Sequence, residues 1–318
     1  MPTSEILAVA AVGDDVNLLF IDYEEGDIGA AIGGVYRTPR DRSQQHKPEQ
    51  RLATNDTLRV LWASPSGHLW VASADGYVGT TAPVSWPATP DVNYETVSGA
   101  PWQATALPRL PDGLRPDVTA LGGTGDDNVF AGTYGGHLYR WDGQAWHLVH
   151  DAGRDSRETV LRIGATGADD VYAGGTGRLL LHWNGRAVTP VAVPGVPANE
   201  NISGIVALDD GTVLLSVSGN AGRFLDGSAA GGFSEFSTTA LQPIGMARVG
   251  DRIFLATDGG AGELVGRDAQ VIRATFKTSA IFPGTGQVYF VEPAQTKPAF
   301  IIHDLSPDAP RAWIRSSY

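Results

Sequence analysis

Residues 118–150 read VTALGGTGDDNVFAGTYGGHLYRWDGQAWHLVH. Four short apolar runs are separated by three turns built from Gly and Asp, which is the pattern of four antiparallel strands in a meander. The third turn carries Asp142-Gly143, and the positive φ that glycine allows suits a tight hairpin between alternating runs. The rest of the chain copies this unit.

The turn between the first two runs recurs at Val12-Gly13-Asp14-Asp15, Ser64-Pro65-Ser66-Gly67, Thr124-Gly125-Asp126-Asp127, Gly167-Ala168-Asp169-Asp170, Leu208-Asp209-Asp210-Gly211, Val249-Gly250-Asp251 and Pro283-Gly284-Thr285-Gly286, which makes seven units. An apolar run follows each turn, and Leu69, Val129, Val171, Val213, Ile253 and Val288 look equivalent, at separations of 60, 42, 42, 40 and 35. Periods of about 40 are those of four-stranded propeller blades. Near-continuous apolar second runs fit sheets whose two faces are both covered by neighbouring sheets.

GHLWVASADG (67–76) and VFAGTYGGHLYRWDG (129–143) resemble blades of the WD-repeat, kelch and regulator-propeller group, and the likeness runs from about residue 6 to 315. It implies an all-β chain: a single seven-bladed β-propeller domain over residues 1–318, built of four-stranded antiparallel blades. It points to no specific family. No unit has the GH-to-WD spacing of a WD repeat, and the double glycine of kelch blades lacks the rest of its pattern.

Two segments depart from the repeat. Residues 38–56 are polar and mixed in charge, which predicts an exposed excursion in the first blade. Residues 82–117 carry Pro83, Pro87, Pro90, Pro101, Pro108, Pro111 and Pro116, too many for a hydrogen-bonded ladder. There only Trp102–Leu107 reads as an outer strand; the rest is a long loop of the kind that often carries function. The first unit starts with its innermost strand and the last ends with its outermost, Pro310 to Ser316, so the ring should close by packing of whole blades.

The chain has no Cys, which excludes disulfides and thiolate metal sites. A net charge of −12 and only three lysines argue against nucleic acid and favour a basic protein partner. The start MPTSE has no basic n-region and no run is long enough to span a membrane, which predicts a cytoplasmic, monomeric protein with no membrane contact. Abundant Arg, Ala, Gly and Asp beside so few Lys suit a GC-rich bacterial source. No GxSxG, HExxH, GxGxxG, GxxxxGK or EF-hand pattern occurs, so neither a catalytic residue nor a metal or cofactor is assigned. His147 and His150 are oddly spaced on one strand and face opposite ways. His137 and His182 align on third strands and read as packing residues.

Three groups of binding candidates remain. The first turns place Asp126, Asp127, Asp169 and Asp170, with Asp14, Asp15, Asp209, Asp210 and Asp251, on one face as an acidic ring that either steers a basic partner or reflects the turn preference of Asp. The turns on the opposite face carry Asp75, Tyr134 and Asp258 among glycines that let a ligand approach the backbone; in propellers that resemble this one, this is commonly the binding face. Trp86 and Trp102, on the proline-rich loop, are candidate interface anchors. The leading expectation is a non-enzymatic scaffold for another macromolecule, in its specific form a bacterial immunity or adaptor protein that neutralises a basic toxin or effector. The alternatives are a carbohydrate-binding propeller and a hydrolase or lyase with its site at the channel mouth.

Overall fold

A strand that is apolar on both sides needs a sheet packed on each side, and seven such strands meet that need by forming a ring. The computed structural model describes residues 2–24, 31–40, 47–87, 89, 91–293, 297–306 and 312–318. It is a seven-bladed β-propeller. The innermost strands of blades 1 to 7 are Pro2–Val12, Leu58–Ala63, Val118–Gly125, Val160–Gly167, Asn201–Ala207, Pro243–Val249 and Ala280–Gly284. All strand pairs are antiparallel, and among the described residues there is no α-helix. Consecutive inner strands lie side by side, and Ala280–Gly284 returns beside Pro2–Val12.

Second strands such as Leu69–Ser73, Asn128–Thr133 and Gln287–Val291 are buried at every position. The core is correspondingly divided into seven apolar clusters, one in each seam between neighbouring blades. Trp70 of blade 2 packs with Leu121, Tyr139 and Trp141 of blade 3; Tyr289 and Phe300 of blade 7 pack with Val16 and Leu18 of blade 1. The seams are tight. A Cβ on Gly132 would lie 2.3 Å from Val160 of the next blade.

Closure follows the expected mode. Among the described residues Pro2–Val12 pairs only with Asp15–Glu24 of its own sheet, and the last sheet ends on its own outer strand, Trp313–Ser317. Pro310, the expected start of that strand, lies outside the described residues.

The two irregular segments are more regular than their composition suggests. Glu49–Thr54, inside the polar stretch 38–56, is the fourth strand of blade 1, held by Leu52, which is wholly buried in the seam with blade 2. Residues 41–46 of that stretch lie outside the described residues. In the proline-rich segment, Gln103–Ala106 is the outer strand of blade 2, as its sequence indicates. The same segment also sends Tyr94–Thr96 across to blade 1 as a fifth strand, pairing Leu52 with Thr96 and Thr54 with Tyr94. Tyr94 reaches back over Gly79 of blade 2, where a Cβ would come within 2.5 Å of its ring. The segment therefore straps blade 1 to blade 2.

Candidate binding site

On the glycine-rich face, three loops converge between blades 2 and 3: the linker Leu107–Asp117, the turn Thr133–His137 and the linker that follows His150. The turn needs positive φ twice in succession, at Gly135 (+88°) and Gly136 (+79°), a conformation that side chains with a Cβ rarely adopt. It also ties the linkers together. The Tyr134 N–H donates to the Asp117 carbonyl at 2.8 Å, and Tyr134 forms an isolated β-bridge to Thr159. Between the loops lies a cavity of about 470 Å³ lined by Leu110, Leu114, Arg115, Tyr134, His137 and Asp151, among others.

The walls are held in place by their own bonds. The Leu110 N–H donates to the Leu114 carbonyl at 2.9 Å, the Gly113 N–H to the Leu110 carbonyl at 2.8 Å, and the Leu114 N–H to Asp112 Oδ1 at 3.0 Å. On the other side Asp151 Oδ1 accepts the Gly153 N–H at 2.9 Å. Leu114 and Tyr134 are nevertheless 61% and 60% exposed. Large apolar side chains left in water on bonded loops are available to a partner.

Charge within the cavity is mixed. His137 is only 5% exposed; its Nδ1 accepts the Ala152 N–H at 3.2 Å and lies 3.2 Å from Asp151 Oδ1. Its Nε2 edge faces Gly135. Burial lowers the pKa of nearby His150, and His137 adds to that. Burial raises the Asp117 carboxyl, with Asp75 pushing the same way and Arg59 opposing. Tyr139, wholly buried, has a hydroxyl with no partner among the described residues. Its pKa is pushed up by burial and then by Asp151 and Asp112.

The sequence candidates divide. Tyr134 lines the cavity and Asp75 sits in the turn whose Gly76 lies against Pro116 of the cavity wall, whereas exposed Asp258 belongs to blade 6 and caps the Gln242 N–H at 2.9 Å. Trp102, the second ring read as an interface anchor, is 7% exposed in the seam between blades 1 and 2. Trp86 is half-buried and edge-on to Trp70 and Trp141, with centroids at 5.8 and 5.6 Å, so it fills the seam of blades 2 and 3. Both rings are drawn inward because the strapping segment runs over exposed blade edges that need apolar cover.

The acidic ring is half consumed by the fold. Asp126 accepts Trp70 Nε1–H at 2.9 Å and meets His68 Nδ1 at 2.6 Å. Burial would raise its carboxyl, but hydrogen bonds from Ser64, Trp70 and His68 outweigh burial and lower it. Asp170 meets His182 Nε2 at 2.6 Å and accepts from Thr166. Asp15 pairs with Arg37 at 3.4 Å, and Asp209 with Arg248 at 2.6 Å. Asp126 and Asp170 are therefore engaged in hydrogen bonds within the fold, whereas Asp14, Asp127, Asp169 and Asp210 are exposed. Sequence alignment also missed His137, because the register equates it with Leu179 and equates His182 with Arg140.

No family model and no curated protein matches the chain. Solved structures do. A catalytically inactive variant of virginiamycin B lyase from Staphylococcus aureus, with quinupristin, is 12% identical with a TM-score of 0.59, covering 92% of this chain and 96% of that one. YCF48 bound to D1 peptide is 13% identical with a TM-score of 0.60, covering 97% and 94%. The computationally designed Ika8 protein is 14% identical with a TM-score of 0.56, covering 95% and 84%. At such identities the likeness is one of fold: this chain is a seven-bladed β-propeller.

Proposed function

We propose that the propeller is a scaffold that docks a basic protein on its glycine-rich face, at the cavity between blades 2 and 3. One observation carries this. Of the six strongly exposed large hydrophobic side chains among the described residues, Leu114 and Tyr134 line the same cavity, on loops fixed by their own hydrogen bonds. Rigid apolar anchors beside a pocket are what a binding hot spot requires. The net charge of −12 favours a cationic partner through its approach rate, and exposed Asp127 and Asp169 add to that field from the other face. YCF48, of the same fold, is described bound to a peptide, which suits this use of the architecture. In its finer form the reading is an adaptor or immunity protein that holds a basic toxin or effector. Sugar stacking once per blade is less well supported, since Tyr134 is the sole aromatic among those six exposed side chains.

The test is cross-linked affinity capture with the wild type, Leu114→Asp and Tyr134→Ala, followed by identification of the captured protein. A basic protein retained by the wild type and lost by both variants is expected. Capture that ignores both substitutions sinks the assignment of this face.

A further inference from the structure

We infer that the channel at the centre of the ring binds a small oxyanion, of the carboxylate or phosphate type, at the guanidinium of Arg162. This site lies apart from the docking cavity and does not rest on it. The channel is open beside the residue: in the inner strand Val160–Gly167 only Val160 is buried, and every later position keeps accessible surface although six other blades complete the ring. Arg162 reaches beyond its own blade. Its Nη1 donates to the Leu161 carbonyl at 2.7 Å and its Nη2 to the Ile244 carbonyl of blade 6 at 3.0 Å, so the side chain crosses the inner edge of blade 5 along the channel wall. A Cβ on Gly245 would stand 3.5 Å from Nη2, which puts the guanidinium against the backbone of blade 6.

The repeat does not ask for a charge at this position. The inner strands of blades 1 to 6 share a bulge, and the residues that follow it are Ala8, Val60, Ala120, Arg162, Gly204 and Gly245. Nor is the charge balanced. The inner strands carry four charged residues: Glu5 accepts the Tyr23 hydroxyl at 2.7 Å, Arg59 stands 3.8 Å from Asp117 and Arg248 pairs with Asp209 at 2.6 Å, whereas Arg162 has no ion pair among the described residues. In a chain of net charge −12 this is not for want of carboxylates. Burial lowers the pKa of the guanidinium and no acidic neighbour opposes it. A cation withdrawn from water without a counter-charge is costly, and two carbonyls offset only part of that cost, so an anion gains by supplying the balance. A guanidinium has five N–H donors in a planar fork; with two spent on carbonyls, the rest can serve two oxygens of one group.

In the test, sodium chloride is replaced stepwise by sodium acetate or sodium phosphate at constant ionic strength and pH, with acetamide as the neutral counterpart, and amide shifts are followed in the full chain. Saturable shifts at Leu161, Arg162, Ile244 and Gly245 with either oxyanion, and none with acetamide, are expected. Arg162→Lys, which keeps the charge and loses the fork, should weaken binding about tenfold, and Arg162→Met should abolish it. Thermal unfolding separates a site from a brace. At about ten times its Kd the oxyanion should raise the Tm of the wild type about 2 °C more than that of Arg162→Met. If Arg162→Met does not fold, Arg162→Lys takes its place with a difference of about 1.5 °C. The absence of saturable shifts, shifts shared by acetamide, or a Tm gap between wild type and variant that ignores the oxyanion each overturns the site and leaves Arg162 as a brace between blades 4 and 6. None of these outcomes bears on the docking face, whose test uses Leu114 and Tyr134.

Discussion

Two adjacent aspartates in one turn should differ sharply in what they contribute. Asp126 has 19% of its side chain exposed and accepts the indole N–H of Trp70, a residue of the previous blade with no exposure at all. Asp126→Ala leaves that donor buried and unpaired, at a cost of about 2 kcal/mol, and the lost contact with His68 adds about 1 kcal/mol. Over 318 residues, an unfolding entropy of about 2.1 cal/mol/K per residue converts 3 kcal/mol into a fall in Tm of about 4–5 °C. Asp127, exposed in the same turn, should cost no more than about 0.5 kcal/mol on replacement by Ala. Because the Asp126 carboxyl is lowered in the folded state, its contribution is full above the unfolded pKa of about 3.9 and fades as the pH falls through the folded value. Calorimetry of the two variants at neutral and acid pH checks this. Equal losses, or a loss in Asp126→Ala unchanged in a Trp70→Phe background, would refute the seam-fastener reasoning.

Other substitutions probe different parts of the account. Trp102→Ala should cost about 3–5 kcal/mol in urea unfolding, as removal of a core ring does, while any partner affinity retained by the folded fraction stays unchanged. Asp56, pushed up to about 6 by burial and by Asp75 against the pull of Arg115, is a carboxylate whose folded pKa exceeds its unfolded one. Stability should therefore fall as the pH rises from about 4 to 6, and Asp56→Asn should flatten that fall and raise Tm at pH 7. Gly132→Ala should lower Tm, because its Cβ would collide with Val160 across the seam of blades 3 and 4. Tyr134→Ala should leave Tm within about 1 °C, since its ring is mostly in water.

The blade count was legible because each unit repeats a turn with an obligatory chemistry. In the 142–145 hairpin Asp142 Oδ1 accepts the N–H of Gln144 and Ala145, and Asn184 does the same for Arg186 and Ala187 one blade later. Such local devices write themselves into sequence. What stayed hidden were the contacts between blades. Trp86 sits in a proline-rich stretch that reads as loop and Trp102 at the start of its one readable strand, and only the path of the fifth strand at Tyr94–Thr96 shows that the stretch lies against apolar seams. Asp126 and Asp127 are equivalent as turn formers, and only the neighbouring blade, through Trp70 and His68, separates them. The cavity was half visible: the prolines of 108–116 marked a loop and Tyr134 marked a facing turn, but His137 lies three positions off the strand alignment that paired it with His182.

The docking account is tested most directly by hydrogen exchange of the backbone amides, with and without the captured basic partner. It predicts slowed exchange at residues 110–117, 133–137 and 151–159, the three walls of the cavity, with the turns at Asp126-Asp127 and Asp169-Asp170 unchanged. Protection confined to those acidic turns, with none at Leu114 or Tyr134, would contradict it.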